Sequence, residues 1–346
     1  MVKLICNGPK PEPKLFRFFF HANFDRLATL TEIYKKVPPH AASEIRREFT
    51  AILRDIYVND VWKVTSNGRL PETEKAVLRF LAAYKRRSGD RKKPTQILDL
   101  GASDGITSVN LLEAIRRNSC HDVEITVTDL CAVLCRYRKG PVTEYRSTGG
   151  YPVMLRLGRL GLRLPHSEYR WDGLGTTLAK LYLGYDRFRA AMIEDLRISL
   201  INPSVICDPA VRIAELDCLK FEPSLVNRFD LIRASNLITP RYGFDGESLR
   251  QALVNLHGYL CNGGCLIISR NARYTEAESG SAWTKEKGGF VPIQDFGGGS
   301  EIKAEVSAFA IETEHRDAGK PSSSVDGSAR SVRDSHVGNL GVYTGG

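Results

Sequence analysis

The 346-residue chain contains no apolar run approaching the ~18–20 residues that a membrane-crossing helix needs, so no transmembrane segment is expected. Its opening, MVKLICNGPKPEPKLFRFFFHANF, holds a short aromatic cluster (Phe16 and Phe18 to Phe20) but no long apolar core, which is not the pattern of a secretory signal. Cysteine is sparse, with eight residues scattered at 6, 120, 131, 135, 207, 218, 261 and 265. Cys131/Cys135 and Cys261/Cys265 are spaced CxxxC, off the usual CxxC spacing of zinc sites, and no histidine lies close to either pair. No metal site is therefore expected, and the thiols read as small buried hydrophobes in a reducing, cytoplasmic setting. A dinucleotide fingerprint GxGxxG starting at Gly101 is also missing. It would need glycine at 103 and 106, where Ser103 and Ile106 stand. Internal repeats are absent.

What is present is an ordinary globular composition, 42% hydrophobic and 26% charged, which excludes wholesale disorder. The length suits one elaborated α/β domain or two smaller ones. The net charge of +9 is unevenly spread. Residues 1–95 carry 20 basic and 10 acidic side chains, whereas the rest of the chain is close to neutral. Such a basic front end suits either an anionic partner or a solvated helical face.

Pro9, Pro11, Pro13 and Pro38, with Pro39 just beyond, make residues 1–38 read as irregular. A helix is expected from about Ala42, where Ile45, Phe49, Ile52, Leu53 and Ile56 recur at helical spacing. A second starts after Pro71, with Glu72 and Glu74 favouring its N-terminal dipole and Val77, Leu78 and Leu81 forming its stripe. It runs into a basic stretch at 85–93. From Thr95, short apolar strands at 96–100, 124–128, 212–216, 229–234 and 265–269 are interrupted by helices at 106–117 and 245–260. Strands separated by helices pair in parallel with right-handed crossovers. About 80 residues between Asp129 and Arg212 exceed what a crossover needs and imply an insertion. Within it, 142–164 reads as a hairpin turning at 147–150, and 175–199 as helical through Leu178, Leu181, Phe188, Met192 and Leu196. Residues 316–346, rich in Ser and Gly, read as a disordered tail. The expected organisation is a helical N-terminal cap over 1–94, a main domain over 95–315 with its insertion at about 131–210, and the tail.

The strongest chemical signal is the run ILDLGASDGITS at 97–108. A buried strand enters a turn of small residues and a helix follows at once, so backbone can approach a ligand closely and free N–H groups face it. This DxGxSxGxT pattern resembles the first motif of the class I S-adenosylmethionine-dependent methyltransferases, with Ser103 replacing a glycine. Asp129 then ends the second strand, AELDCL places Asp217 at the end of the third, RFDLIRASN resembles the family's fourth-strand motif, and GYLCNGG before the fifth strand resembles its Gly-Gly turn without the proline. Residues 289–299 and 305–311 would supply the closing antiparallel hairpin.

The resemblance implies a Rossmann-like, doubly wound, mostly parallel sheet that binds S-adenosyl-L-methionine. The cofactor contacts it implies are Asp99, Gly101, Ala102, Ser103 and Gly105 in the first turn, and Asp129 with Leu130 at the ribose. Asp217 and the Cys218 amide would meet the adenine, and Ser235 would line the methyl side. Each carboxylate also has a plain reading as a turn cap or an arginine partner. Methyl transfer from a sulfonium needs mainly alignment and desolvation. Asn236 and Tyr242 are the candidates for orienting the acceptor, ahead of His166, while His257 lies in a predicted helix and reads as structural. O- or N-methylation of a small-molecule acceptor is expected, and an anionic acceptor would suit Arg136, Arg138, Arg156 and Arg163. SNLI stands where amino-group methylases of nucleic acids carry an (N/D)PP(Y/F) tetrad. The alternatives are a methyltransferase-like protein that binds nucleic acid or another anionic partner through 85–93 and 136–170, and a protein carboxyl methyltransferase.

Overall fold

The hydrophobic strand Thr95–Leu100 (β3) lies in the middle of a seven-stranded sheet with the order β10-β4-β3-β11-β12-β13-β14. The computed structural model describes residues 24–53, 57–58, 61–63, 68–88, 93–118, 122–158, 160–163, 181–182, 184–271 and 278–310. β4 (Val123–Asp129), β10 (Val211–Glu215), β11 (Phe229–Ser235) and β12 (Leu260–Asn271) run parallel to β3. β13 (Glu278–Glu286) and β14 (Gly289–Phe296) add antiparallel edges. This is the doubly wound α/β sheet the sequence predicts. Its central strands are near-continuous runs of buried apolar residues because helices cover both faces.

On one face, α3 (Pro71–Ser88) and α4 (Ile106–Asn118) press Val77, Leu81, Leu111, Leu112 and Ile115 onto Ile97, Ile125, Leu231 and Ile267. On the other, α7 (Gly246–Tyr259) packs Leu249, Leu253 and Leu256 onto Leu98, Ile232 and Leu266. The α3 N-terminus, with Pro71 in its first position, is capped from a distance. The buried Glu278 carboxylate of β13 accepts the amides of Glu72 (2.8 Å) and Thr73 (3.1 Å), groups a helix leaves unsatisfied.

The insertion between β4 and β10 forms its own antiparallel sheet, β8-β7-β6-β5-β9. Its strands are β5 (Val133–Lys139), β6 (Val142–Ser147), β7 (Pro152–Leu157), β8 (Leu160–Arg163) and β9 (Ile193–Ser199). α1 (Phe24–Tyr34) and α2 (Pro39–Leu53) lie against this sheet, burying Phe24, Leu27, Leu30, Phe49 and Leu53 with Leu134, Tyr145, Met154 and Ile198. The N-terminal helices thus divide: α1 and α2 join the insertion, while α3 joins the main sheet. The root of the insertion is pinned where Leu200 donates to Ala132 (2.8 Å) and Glu215 accepts the amides of Ala132 (2.9 Å) and Val133 (3.0 Å).

Several expectations change. Residues 24–34 are helical rather than irregular, since burial of Phe24, Leu27 and Leu30 against the insertion supplies what the proline-rich flanks obscure. The helix expected over 175–199 does not extend there. After α5 (Asp186–Ala190), residues 193–199 are a strand, because β5 offers them an open edge to pair with. The hairpin over 142–164 is three strands, with its long second arm folding back at Gly158. The closing hairpin pairs β14 with 278–286, whereas α8 (Lys303–Ala308) occupies the segment expected to be its partner. β13 hides in the sequence because Ser279, Gly280, Ser281 and Ala282 are small rather than alternating. A Cβ at Gly280 would come within 2.5 Å of the Phe296 ring. The expected tail at 316–346, residues 89–92 of the basic run and the side chains of 85–88 lie outside what is described.

Candidate cofactor site at the strand switch point

The chain leaves β3 for β4 and β10 on one side, then returns to β11 on the other. That reversal opens a crevice beyond the carboxyl ends of β3 and β11, the place where ligands bind in open α/β sheets. The 101–105 turn sits there with Gly101, Ser103 and Gly105 all at positive φ (68°, 61° and 78°), and the Gly105 amide closes it by donating to the Ala102 carbonyl at 3.0 Å. A Cβ at Gly101 would lie 2.8 Å from Leu237 Cδ2, and one at Gly105 would lie 3.0 Å from Val205 Cγ2. Both glycines therefore serve close packing as well as turn geometry.

Asp99 is 2% exposed, and its carboxylate is fully engaged inside the fold. Arg233, its register neighbour on β11, donates Nε at 2.9 Å and also Nη2, while Ser108 Oγ donates from α4. Arg233 in turn reaches Thr107 Oγ1 at 3.4 Å. Asp99 thus holds an arginine between the two central strands, with both carboxylate oxygens bonded to protein donors.

Asp129 ends β4 on the other flank. Its carboxylate accepts the amides of Ser103 (2.9 Å) and Cys131 (3.0 Å) and is ion-paired with Lys63, a buried lysine from the N-terminal segment. Leu130 beside it is 50% exposed, an apolar surface next to a carboxylate at the mouth of the crevice. Ala102 is buried, and its amide donates to the Thr128 carbonyl at 2.9 Å, tying the turn to β4.

The remaining predicted positions divide. Asp217 accepts the Leu219 amide at 3.1 Å and lies 3.5 Å from Lys220, so its side chain caps its own turn. Cys218 is buried, its carbonyl accepts Asn255 Nδ2 at 2.8 Å, and burial pushes its thiol up to about 12, which keeps it neutral. Asn236, at φ 58°, spends its side-chain amide on β12. It donates to Asn271 Oδ1 at 3.2 Å and accepts the Asn271 amide at 2.7 Å. Tyr242 is 43% exposed in a short 3-10 turn at the rim. Ser235 is 9% exposed and begins a chain of hydroxyls: its Oγ lies 2.9 Å from Ser269 Oγ, which accepts from Thr73 Oγ1 at 2.7 Å, and Thr73 also meets Glu278. Burial raises the Glu278 carboxyl above its ordinary value against the hydrogen bonds from Thr73 and Glu72. His257 is buried against Phe290, its Nε2 2.9 Å from the Glu286 carbonyl, away from the crevice. His166 lies outside the described residues.

Sequence reasoning missed Lys63, Arg69 and Arg233. Arg233 did leave a signal, a lone arginine inside the apolar strand FDLIRAS. Such a charge demands a buried partner. Lys63 and Arg69 stand in segments with no regular pattern and leave none.

Three of the insertion arginines proposed for an anionic substrate share two carboxylates of the fold, Asp25 and Asp195. Arg136 pairs with Asp195 (2.7 Å) and Asp25 (3.0 Å), Arg138 with Asp195 (3.2 Å), and Arg156 with Asp25 (3.4 Å). The side chain of Arg163 lies outside the described residues. No group of three His, Cys, Asp or Glu among the described residues is arranged to hold a metal ion.

No protein-family model and no curated protein matches the chain. Among the solved structures similar to it are several methyltransferases. The CMeT domain of the citrinin polyketide synthase is 17% identical over 72% of this chain and 48% of its own, with a TM-score of 0.32. The DszA carbon methyltransferase is 16% identical over 73% and 52%, at 0.31. Phosphoethanolamine N-methyltransferase 2 of Haemonchus contortus, in complex with S-adenosyl-L-methionine, is 16% identical over 56% and 27%, at 0.24. The chain spans about half the length of the first two. At these scores the likeness is distant, and the functional assignment rests on the chain's own residues.

Proposed function

We propose that the chain is an S-adenosylmethionine-dependent methyltransferase acting on a small molecule. The observation that carries this is the pairing, at one switch point, of a left-handed small-residue turn with the Asp129 carboxylate on the neighbouring strand end. The residues present fit the cofactor. Ser103 Oγ, in the turn itself, is buried without a hydrogen-bond partner, a polar group that a ligand there would satisfy.

In this assignment Asp129 takes the ribose hydroxyls, exchanging Lys63 for them, and Leu130 covers the adenine. Asp217 and the Cys218 amide lie at the strand end that would read its edge. Gly101, Ala102, Ser103 and Gly105 bring backbone within reach. Asp99 acts behind them by fixing Arg233. When bound, the cofactor supplies a methyl group already activated by the sulfonium. The chain's residues then contribute alignment and exclusion of water. Ser235 is the hydroxyl nearest the methyl side, and its slight exposure favours a small acceptor over a polymer. Asn236 positions the end of β11 through Asn271, and Tyr242 stands at the rim.

Isothermal titration with S-adenosylhomocysteine tests the donor site, and a screen of metabolite extracts with methyl-labelled donor tests the transfer. Absence of binding overturns the assignment.

A further inference from the structure

Lys63 reaches the end of β4 from a stretch that belongs to neither large sheet. It follows β2 (Val61–Trp62), which pairs with β1 (Tyr57–Val58) in a separate two-stranded sheet. The helices on either side of this stretch pack on different sheets, α2 on the insertion and α3 on the main sheet. Lys63 ties the stretch down. Its side chain is 4% exposed, and among the described residues its ammonium is bonded to Asp129 alone. A lysine this deeply buried needs such a partner, because an unpaired ammonium out of water is costly.

The hydrogen-bonding capacity of the Asp129 carboxylate sets a limit on its partners. An ionised carboxylate offers about four lone-pair sites, shared equally between its oxygens. Oδ1 accepts the Cys131 amide at 3.0 Å and the Lys63 ammonium, which fills it. Oδ2 accepts the Ser103 amide at 2.9 Å and has capacity left. Both amides belong to turns that frame the strand end. With Lys63 in place, a pair of neighbouring hydroxyls can be accepted by Oδ2 only. With Lys63 withdrawn, capacity opens on both oxygens, the fork that such a pair requires. The lysine and a ribose therefore compete for Oδ1.

We propose that Lys63 and the β1–β2 pair form a built-in competitor of the methyl donor: Lys63 closes the ribose carboxylate, and the donor binds as the lysine and its strand pair let go. The inference rests on the donor site proposed above and adds to it a coupling between that site and the connection from α2 to α3. No strand ladder to either large sheet has to break for the release. Coupling is reciprocal, so the donor loosens the strand pair by the same factor by which the strand pair weakens the donor. The apparent dissociation constant is the intrinsic one divided by the fraction of molecules in which Lys63 is withdrawn.

The test combines calorimetric titration of S-adenosylhomocysteine into wild type and Lys63→Met with amide hydrogen exchange over residues 57–63, measured with and without that ligand. Lys63→Met keeps an apolar stem and leaves Asp129 its amide donors from Ser103 and Cys131, and thermal melts establish that the variant folds. Lys63→Met is expected to bind several-fold more tightly than wild type. In wild type, saturating ligand is expected to speed exchange at 57–63 while slowing it in the 101–105 turn. In Lys63→Met, exchange at 57–63 is expected to be fast already and to change little. The wild-type exchange measurement needs no variant and stands even if Lys63→Met fails to fold. If both proteins bind equally and ligand leaves exchange at 57–63 unchanged or slower, the competitor is wrong while the donor site stands. Weaker binding by a folded Lys63→Met also overturns it, because Lys63 would then support the ligand. If neither protein binds, the donor site itself is wrong and the competition falls with it.

Discussion

Replacing Asp99 by Asn removes the only charge among the described residues that faces the buried Arg233 guanidinium at hydrogen-bond distance and keeps the shape of the side chain. The ion pair is almost wholly out of water, with the Arg233 side chain 0% and the Asp99 side chain 3% exposed. Breaking such a pair from one side costs about 3–5 kcal/mol, because an uncompensated charge stays buried. That is a large share of the ~5–15 kcal/mol that holds a typical domain together. Arg233→Met should cost a similar amount for the opposite reason, stranding the carboxylate with Ser108 as its remaining side-chain donor. The double variant buries no charge, so its loss should fall short of the sum by about 2 kcal/mol or more. Urea unfolding followed by circular dichroism gives the three values, with an unchanged slope expected in each. An Asp99→Asn protein within about 1 kcal/mol of wild type would refute the buried pair as a stabilising link. If that same protein had lost S-adenosylhomocysteine binding, Asp99 would be a ligand contact instead.

Three further outcomes are expected. Gly101→Ala should cost about 1–2 kcal/mol from its positive φ alone and more from the 2.8 Å approach to Leu237. Gly243→Ala, at φ +82° in open space, should show only the first part by thermal melting, and equal losses would refute the packing role. Burial lowers the His257 pKa below its ordinary 6.5, so neutral His257 favours the fold above that value. Stability should therefore fall as pH drops below about 6.5 through the folded-state pKa, and His257→Gln should flatten that part of the pH profile. Lys63→Met should free the Asp129 carboxylate and tighten S-adenosylhomocysteine several-fold, on the order of the fraction of sites that Lys63 occupies. Weaker binding would instead make Lys63 a support of the ligand.

The sequence was most legible where backbone and packing agree. The strand-turn-helix at 97–108 announced itself through a buried apolar run entering small residues, and the parallel order followed from alternating strands and helices. Asp129 was foreseen at a strand end because carboxylates there are few. What escaped notice was decided by distant partners. β9 carries a helical spacing of apolar residues that pairing with β5 overrides. β13 is built of small residues whose burial depends on β12 and β14. The partners of the charged groups were equally hidden. Nothing local tells that Arg136 meets Asp25 or that Lys63 meets Asp129, since those pairs join positions 111 and 66 residues apart. Asn236 looked free for chemistry in a strand-end motif, yet its amide is held by Asn271, 35 residues away.

Donor binding is tested most directly by calorimetric titration of S-adenosylhomocysteine into the wild-type chain and into Asp129→Ala. Saturable one-to-one binding by wild type is expected. Asp129→Ala should weaken it by about 10-fold or more, the loss expected when hydroxyls no longer meet a charged acceptor. A wild-type protein that binds neither S-adenosylhomocysteine nor S-adenosylmethionine, or an Asp129→Ala protein that binds as tightly as wild type, would contradict the proposed site.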